Sequence, residues 1–213
     1  MTSKKNLLTE KETYITKQFN KNSKSFDEQD RKGLSSTAKK HVETLTEANL
    51  STALDVGAGT GGILNGLLEN KVERVYGVDL STEMLERAKK RLEEKGFIDK
   101  AELQHISFLD YRNENTIEGI SLHRVLCCHP DREKMLEKAV SFQPKVIVLT
   151  IPRTWFFMRG ITFLLKTFRK VFKGFQPYLH KIDSIDKQLE QSNYKLVDIF
   201  KTKLWITRTY KIN

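Results

Sequence analysis

The sequence is poor in several residue types, and each shortage narrows the possibilities. Among 213 residues there are two cysteines. They are neighbours, Cys127 and Cys128, so they make neither a disulfide framework nor a zinc site. They read as reduced thiols buried at a strand end. No metal-ligand spacing occurs elsewhere. Prolines number four, and neither a repeat nor a low-complexity tract interrupts the chain. No apolar run approaches the roughly 20 residues of a membrane-spanning helix, and the most apolar stretch, 155–168, is broken by Arg159 and Lys166. The opening MTSKKNLLTEKE carries charge where a signal peptide has its apolar run. The expectation is a cytoplasmic globular protein, with 38% hydrophobic and 30% charged residues. The length suits one domain with a core of its own.

Acid is missing where base is plentiful. No Asp or Glu occurs from Lys138 to Ile182, a stretch that holds nine of the Lys and Arg residues behind the net charge of +10. Such a field attracts nucleic acid, anionic lipid or an anionic small molecule, or is only a solvated face. Residues 153–180 mix this charge with Trp155, Phe156, Phe157, Phe163 and Phe175, while Ile161, Leu164, Leu165, Phe168 and Phe172 have helical spacing. A peripheral contact with anionic membrane, a lid over an apolar anionic substrate and a plain core helix all remain open for this basic amphipathic insert. Nucleic acid suits it less, because the aromatics follow a helix and not a strand face.

The remainder alternates. TALDVG (52–57), RVYGVDLS (74–81), AELQHISFLD (101–110), SLHRVLCCH (121–129) and KVIVLTI (145–151) read as strands, the third with its exit loop. Between them lie ILNGLLEN (63–70), a helix capped by Ser81 and stopped by Gly96, and a helix capped by Asp131. A helix covers 33–49, and residues 1–32 form a polar extension, flexible or helical. SIDKQLEQSN (184–193) is helical, and YKLVDIF (194–200) and LWITRTYKI (204–212) are strands joined too tightly for a crossover. This pattern predicts an α/β domain over 33–213: a Rossmann-like, mostly parallel seven-stranded sheet, helices on both faces and a C-terminal antiparallel hairpin.

The glycine loop between the first strand and its helix reads Asp55-Val-Gly57-Ala-Gly59-Thr-Gly61-Gly62. Glycines there let a ligand approach the backbone. Gly57, Gly59 and Gly62 satisfy the dinucleotide spacing, and Asp79 at the end of the second strand stands where an acid holds ribose hydroxyls. Asp79 alone cannot separate NAD from S-adenosylmethionine, since both contain adenosine. Asp55 favours the second: a carboxylate sits badly beside a pyrophosphate and well beside an ammonium. Phe108-Leu109-Asp110 can pack an adenine face and accept from its amine.

ALDVGAGTGG, VYGVDLS and SFLDY, in this order and spacing, resemble the class I S-adenosylmethionine-dependent methyltransferases over about residues 33–212. The resemblance implies S-adenosyl-L-methionine as cofactor. Asp55, Gly57, Gly59 and Gly61 would line its methionine part, Asp79 would bind the ribose hydroxyls, Leu109 and Asp110 would meet the adenine, and Leu80 would also touch the cofactor. RVLCCHPD, the Pro-Arg followed by aromatics, FQPYLH (175–180) and the closing LWITRTYK resemble the subgroup related to magnesium-protoporphyrin O-methyltransferase. That implies methylation of a carboxylate or hydroxyl oxygen on a small, anionic or apolar acceptor. An RNA methyltransferase and a non-catalytic cofactor-binding module are the alternatives. The acceptor should lie beyond the fourth and fifth strands. Candidate residues are His129 and His180, as bases or loop residues, and Arg153, as a partner for a substrate carboxylate. His105 and His123 read as structural, and His123 stands where the subgroup usually has Asp.

Overall fold

Along each strand successive side chains point to opposite faces. In the fifth strand Val146 and Val148 join one apolar cluster, while Ile147, Leu149 and Ile151 join another. A sheet that is apolar on both faces needs helices on both, and the chain supplies them. The computed structural model describes residues 2–153, 178 and 180–213. Within them the order is α1 (Thr2–Lys32), α2 (Ser36–Glu47), β1 (Thr52–Val56), α3 (Gly62–Glu69), β2 (Arg74–Asp79), α4 (Thr82–Glu94), β3 (Ala101–His105), β4 (Gly119–His123), α5 (Arg132–Ser141), β5 (Val146–Pro152), α6 (Ile182–Gln191), β6 (Tyr194–Lys201) and β7 (Trp205–Ile212). The basic insert expected over 153–180 falls, except at its ends, outside the described residues. No described helix is long and apolar enough to cross a membrane.

The sheet has seven strands in the order β3-β2-β1-β4-β5-β7-β6. All neighbours are parallel except β5–β7 and β7–β6. The Rossmann-like sheet with its terminal hairpin is therefore as expected. Residues from α2, α3 and α4 cover one face, with Val42, Leu45, Leu64, Leu67 and Leu92 against Ala53 and Val75. Residues from α5 and α6 cover the other, with Leu136, Ile185 and Leu189 against Ile120, Leu149 and Tyr210. The reversal of strand order lies between β1 and β4, which opens the crevice where ligands bind in such sheets.

One strand differs from expectation. The fourth was expected over 121–129, but it spans Gly119–His123 and gives way to a turn and a short 3-10 helix at Leu126–Cys128. The strand ends because Arg124 takes φ +57°, a left-handed conformation that breaks the ladder. It begins early because Gly119 already pairs with Ala53 of β1 and Val146 of β5, at a point where a Cβ would lie 2.5 and 2.8 Å from Leu50 and Leu45.

α1 is docked by polar contacts. Arg91 of α4 donates to Asp27 Oδ1 at 2.7 Å, with both side chains about nine-tenths covered. Arg31 bridges Asp27 at 3.0 Å and Glu94 at 2.8 Å, and Arg87 Nε donates to Ser23 at 3.1 Å. Burial acts to raise the Asp27 carboxyl, but the Arg91 and Arg31 hydrogen bonds outweigh it and hold it below its ordinary value. α2 instead carries a buried imidazole to the sheet. His41 Nδ1 lies 2.9 Å from Ser121 Oγ, and Nε2 lies 2.7 Å from Thr150 Oγ1. His123 Nε2 lies 2.9 Å from Thr37 Oγ1. Burial pushes His41 far below the usual imidazole range, and burial together with Arg124 pushes His123 down to about 3.

Two outcomes follow. Asp27→Ala leaves Arg91 buried without its partner and should cost about 3 kcal/mol in urea denaturation. The Asp27 contribution is present above the ordinary carboxylate pKa and is lost as pH falls through the lowered one. The two histidines act at higher pH. The unfolded chain takes up their protons below about pH 6.5 and the folded chain does not, so stability is full above that value and falls below it. Each ring contributes up to about 1.4 kcal/mol per pH unit. Unfolding measured at about pH 7.5 and about pH 5.5 should show this loss, and His123→Gln should remove part of it.

Candidate active site

The crevice at the β1–β4 reversal holds a cavity of about 390 Å³. Its floor is the glycine loop. Gly57, Gly59 and Gly61 have φ of +70°, +54° and +75°, a sequence of left-handed residues that only glycine adopts at low cost. The Gly57 and Ala58 amides donate to Val78 O at 2.8 and 3.0 Å, which ties the loop to β2. Asp79 completes the tie: Oδ2 accepts from Gly59 N at 2.8 Å and Oδ1 from Ser81 N at 2.8 Å. Burial raises the Asp79 carboxyl, and the amides of Gly59, Ser81 and Leu80 restrain the rise.

Asp55 ends up beneath this loop. It is 2% exposed, and its Oδ1 has no hydrogen-bond partner. Burial pushes its carboxyl up to about 8, with Asp79 and Asp30 adding to the rise and Ser121 opposing it. A buried carboxylate without a cation is costly to ionise. A positive group entering the cavity would relieve that cost.

Of the residues expected to bind a cofactor, Asp55, Gly57, Gly59, Asp79, Leu80 and Leu109 line the cavity. Gly61 does not. It caps α3 and packs on α4, where a Cβ would meet Ala88 Cβ at 2.9 Å. Asp110 is exposed and outside the lining, which is formed there by Ile106, Ser107, Phe108 and Leu109. Its amide donates to Ser107 O at 2.9 Å, a turn that carries the side chain past the cavity.

Of the three acceptor-side candidates, only His129 lines the cavity. Its Nδ1 accepts from Asp131 N at 3.0 Å, so the neutral ring carries its proton on Nε2, a buried atom with no partner. Burial keeps the ring below its ordinary pKa. His180 stands behind: its Nε2 donates to Leu126 O at 2.9 Å, with His129 O at 3.3 Å, which braces the turn that carries His129. Arg153 is turned away, donating from Nη1 to Thr202 O at 2.8 Å and from its amide to Leu204 O at 2.9 Å in the β6–β7 connection.

The cavity also has a wall that the sequence did not announce. Phe19, Phe26, Gln29 and Asp30 of α1 line it, with Ser35 just beyond. Thr60 Oγ1 donates to Asp30 Oδ2 at 2.7 Å, and Ser107 Oγ donates to Glu12 at 3.0 Å, so α1 is bonded to two of the loops it covers. His123, Arg124, Val125 and Cys128 join His129 at the β4 end. Of the two histidines read as structural, His105 lies outside the lining, its Nε2 donating to Leu80 O at 2.9 Å, while His123 is part of it. Both cysteine thiols lie 3.3 Å from Arg124 O, and the neighbouring Cys127 thiol, with burial, pushes the Cys128 thiol up.

Comparison with known proteins places this geometry. A family profile described as a methyltransferase domain matches residues 53–142. A search of curated protein sequences found no match. Among solved structures the chain is similar to magnesium protoporphyrin IX methyltransferase from Synechocystis PCC 6803 with bound SAH, at 18% identity and TM-score 0.75, over 95% of this chain and 100% of that one. It is similar to an O-methyltransferase from neocarzinostatin biosynthesis, solved with S-adenosylmethionine and 2-hydroxy-5-methyl naphthoic acid, at 18% identity and TM-score 0.59, over 78% of this chain and 50% of that one. The cyclase SpnF is also similar, at 8% identity and TM-score 0.61, over 76% of this chain and 74% of that one. The fold alone therefore does not name a reaction. The profile match narrows it: residues 53–142 are similar to a methyltransferase domain, and the chain shares the fold of the class I S-adenosylmethionine-dependent methyltransferases.

Proposed function

We propose that this protein transfers the methyl group of S-adenosylmethionine to an oxygen of a small acceptor with an apolar body and an acidic group. The observation that carries the reading is Asp55, a buried carboxyl at the cavity with an unpartnered oxygen and a raised pKa of about 8. It suits a ligand that brings its own ammonium, as the methionine part does. The bound sulfonium supplies an already activated methyl group.

The chain's own task is then positioning. The backbone at Gly57 and Gly59 admits the methionine part, while Gly61 holds the loop against α4. Each Asp79 oxygen already accepts one amide and keeps a lone pair for a ribose hydroxyl. Leu80, Phe108 and Leu109 pack the adenine. Its edge falls to the backbone of 107–109, since Asp110 lies outside the cavity. His129 presents Nε2–H toward an acceptor oxygen as a hydrogen-bond donor; with Nδ1 occupied by the Asp131 amide, it orients that oxygen and does not deprotonate it. A carboxylate nucleophile needs no base. His180 acts through the turn that it braces.

Two measurements test the reading. At about pH 7 most of the Asp55 population is protonated, so capture of an ammonium should release close to one proton per site. Calorimetry of S-adenosylmethionine binding in buffers of different ionisation enthalpy should show that release, and Asp55→Asn should abolish it. Asp79→Ala should weaken binding by about tenfold or more. Radiolabelled S-adenosylmethionine supplied with the protein to a fractionated extract of its own cells should leave label in the solvent-extractable fraction, released by mild base if an ester has formed. Label in RNA would overturn the small-molecule reading, and cofactor binding with no label anywhere would point to a binding module.

A further inference from the structure

We propose that Arg124 is the anchor for the acceptor's acidic group, taking a carboxylate in the β4 end of the cavity. The proposal rests on the methyl-transfer reading above and names the residue that selects its substrate class.

The position is unusual for an arginine. Arg124 is the first residue after β4 and adopts φ +57°, a conformation that a non-glycine residue holds only against a cost of the order of 1 kcal/mol. The turn keeps the side chain at the cavity, where Arg124 forms part of the lining beside His123, Val125 and Cys128. Its guanidinium lies over the Trp205 ring at 4.4 Å from the centroid. Nη2 donates to Thr37 Oγ1 at 3.0 Å and approaches Ser35 Oγ at 3.5 Å. Thr37 in turn pairs with His123 Nε2 at 2.9 Å. These partners are neutral. They fix the plane of the fork without cancelling its charge.

The charge is left over. Among the described residues no carboxylate lies within 4.0 Å of Arg124, whereas Arg31, Arg91, Arg132 and Arg208 each have one. Its Nε is buried without a partner, and Nη1 makes no hydrogen bond with a described residue. A half-buried guanidinium with a fixed orientation, an indole beneath it and an Nη1 that is unused among the described residues can offer a charge-assisted N–H···O bond to an oxyanion, with Nη2 beside it. Asp30, the acid whose field reaches Arg124, is already engaged by Thr60. The wall also carries apolar side chains, Phe19, Phe26, Val125 and Met135. An apolar body ending in a carboxylate matches both parts. Arg153, the arginine that the sequence pattern offered for this task, spends its guanidinium on Thr202 O instead.

The test uses the full chain saturated with S-adenosylhomocysteine, and reads binding of aryl carboxylates (cinnamate, naphthoate and anthracene carboxylate) against the corresponding neutral alcohols. Wild type should bind at least one acid more tightly than its alcohol. Arg124→Gln should weaken that acid by about 30-fold or more and leave the alcohol within about twofold. Arg124→Lys should restore part of the acid's affinity, and Arg153→Gln should change neither ligand. A merely structural Arg124 would lower S-adenosylhomocysteine affinity and Tm and weaken acid and alcohol together, and that result would overturn the proposal. So would an acid preference that survives Arg124→Gln, or a wild type that binds no acid better than its alcohol. Should Arg124→Gln fail to fold, Thr37→Val, which frees Nη2, carries the same comparison, with a severalfold selective loss of the acid expected. Failure of wild type to bind S-adenosylhomocysteine would instead remove the methyl-donor reading, and this proposal with it.

Discussion

The amide of Gly59 donating to Asp79 holds the site together. It joins the loop after β1 to the end of β2, across neighbouring parallel strands paired from Thr52–Arg74 to Val56–Val78. The loop can reach only because it strings together left-handed glycines, and it can stay only because the Gly57 and Ala58 amides find Val78 O. Everything placed around the cavity refers to that frame. Asp55 is buried because the loop folds back over it, its carboxyl is raised because the burial leaves one oxygen without a donor, and α3 begins where Gly61 abuts Ala88. A side chain at Gly61 would push α3 and α4 apart and lift the loop from the acid that it covers.

The sequence was readable where structure is made locally. Strand alternation, the Ser81 and Asp131 caps, each accepting from an amide three residues on, and the glycine loop all depend on near neighbours along the chain. The terminal hairpin was readable from the length of its connection. Reading failed where a side chain's direction is settled by partners distant in sequence. Arg153 has a residue type suited to substrate, but Thr202, 49 residues on, takes it elsewhere; Asp110, by contrast, is turned out by a purely local turn at Ser107, which its residue type does not report. Arg124 passed as one more strand residue because nothing nearby reports a positive φ: Leu122 before it and Val125-Leu126 after it mimicked an extended run. The wall made by α1 was hidden for another reason. Its described buried positions are Ser23 and Asp27, polar residues whose burial no hydrophobic period can signal.

The two ends of the cavity also differ in how charge is managed. At the loop end the chain places three acids, Asp55, Asp79 and Asp30, two of them bonded to the protein and one left wanting a cation. At the β4 end it places an arginine and two histidines whose pKa values are lowered by burial, so that at neutral pH the arginine alone carries charge there. A molecule with a positive head and one with a negative tail can therefore enter the same cavity and be sorted to opposite ends, which brings their middles together.

The polar docking of α1 has a consequence for how the molecule opens. No described side chain of α1 belongs to either apolar cluster, so the helix is held by ion pairs and hydroxyls that water can replace one at a time. Local unfolding spends free energy in proportion to the apolar area it uncovers, and here it uncovers little of the sheet's core. Loss of these polar contacts would uncover the cavity from the α1 side while the strand pairing beneath it, which uses none of them, stayed in place.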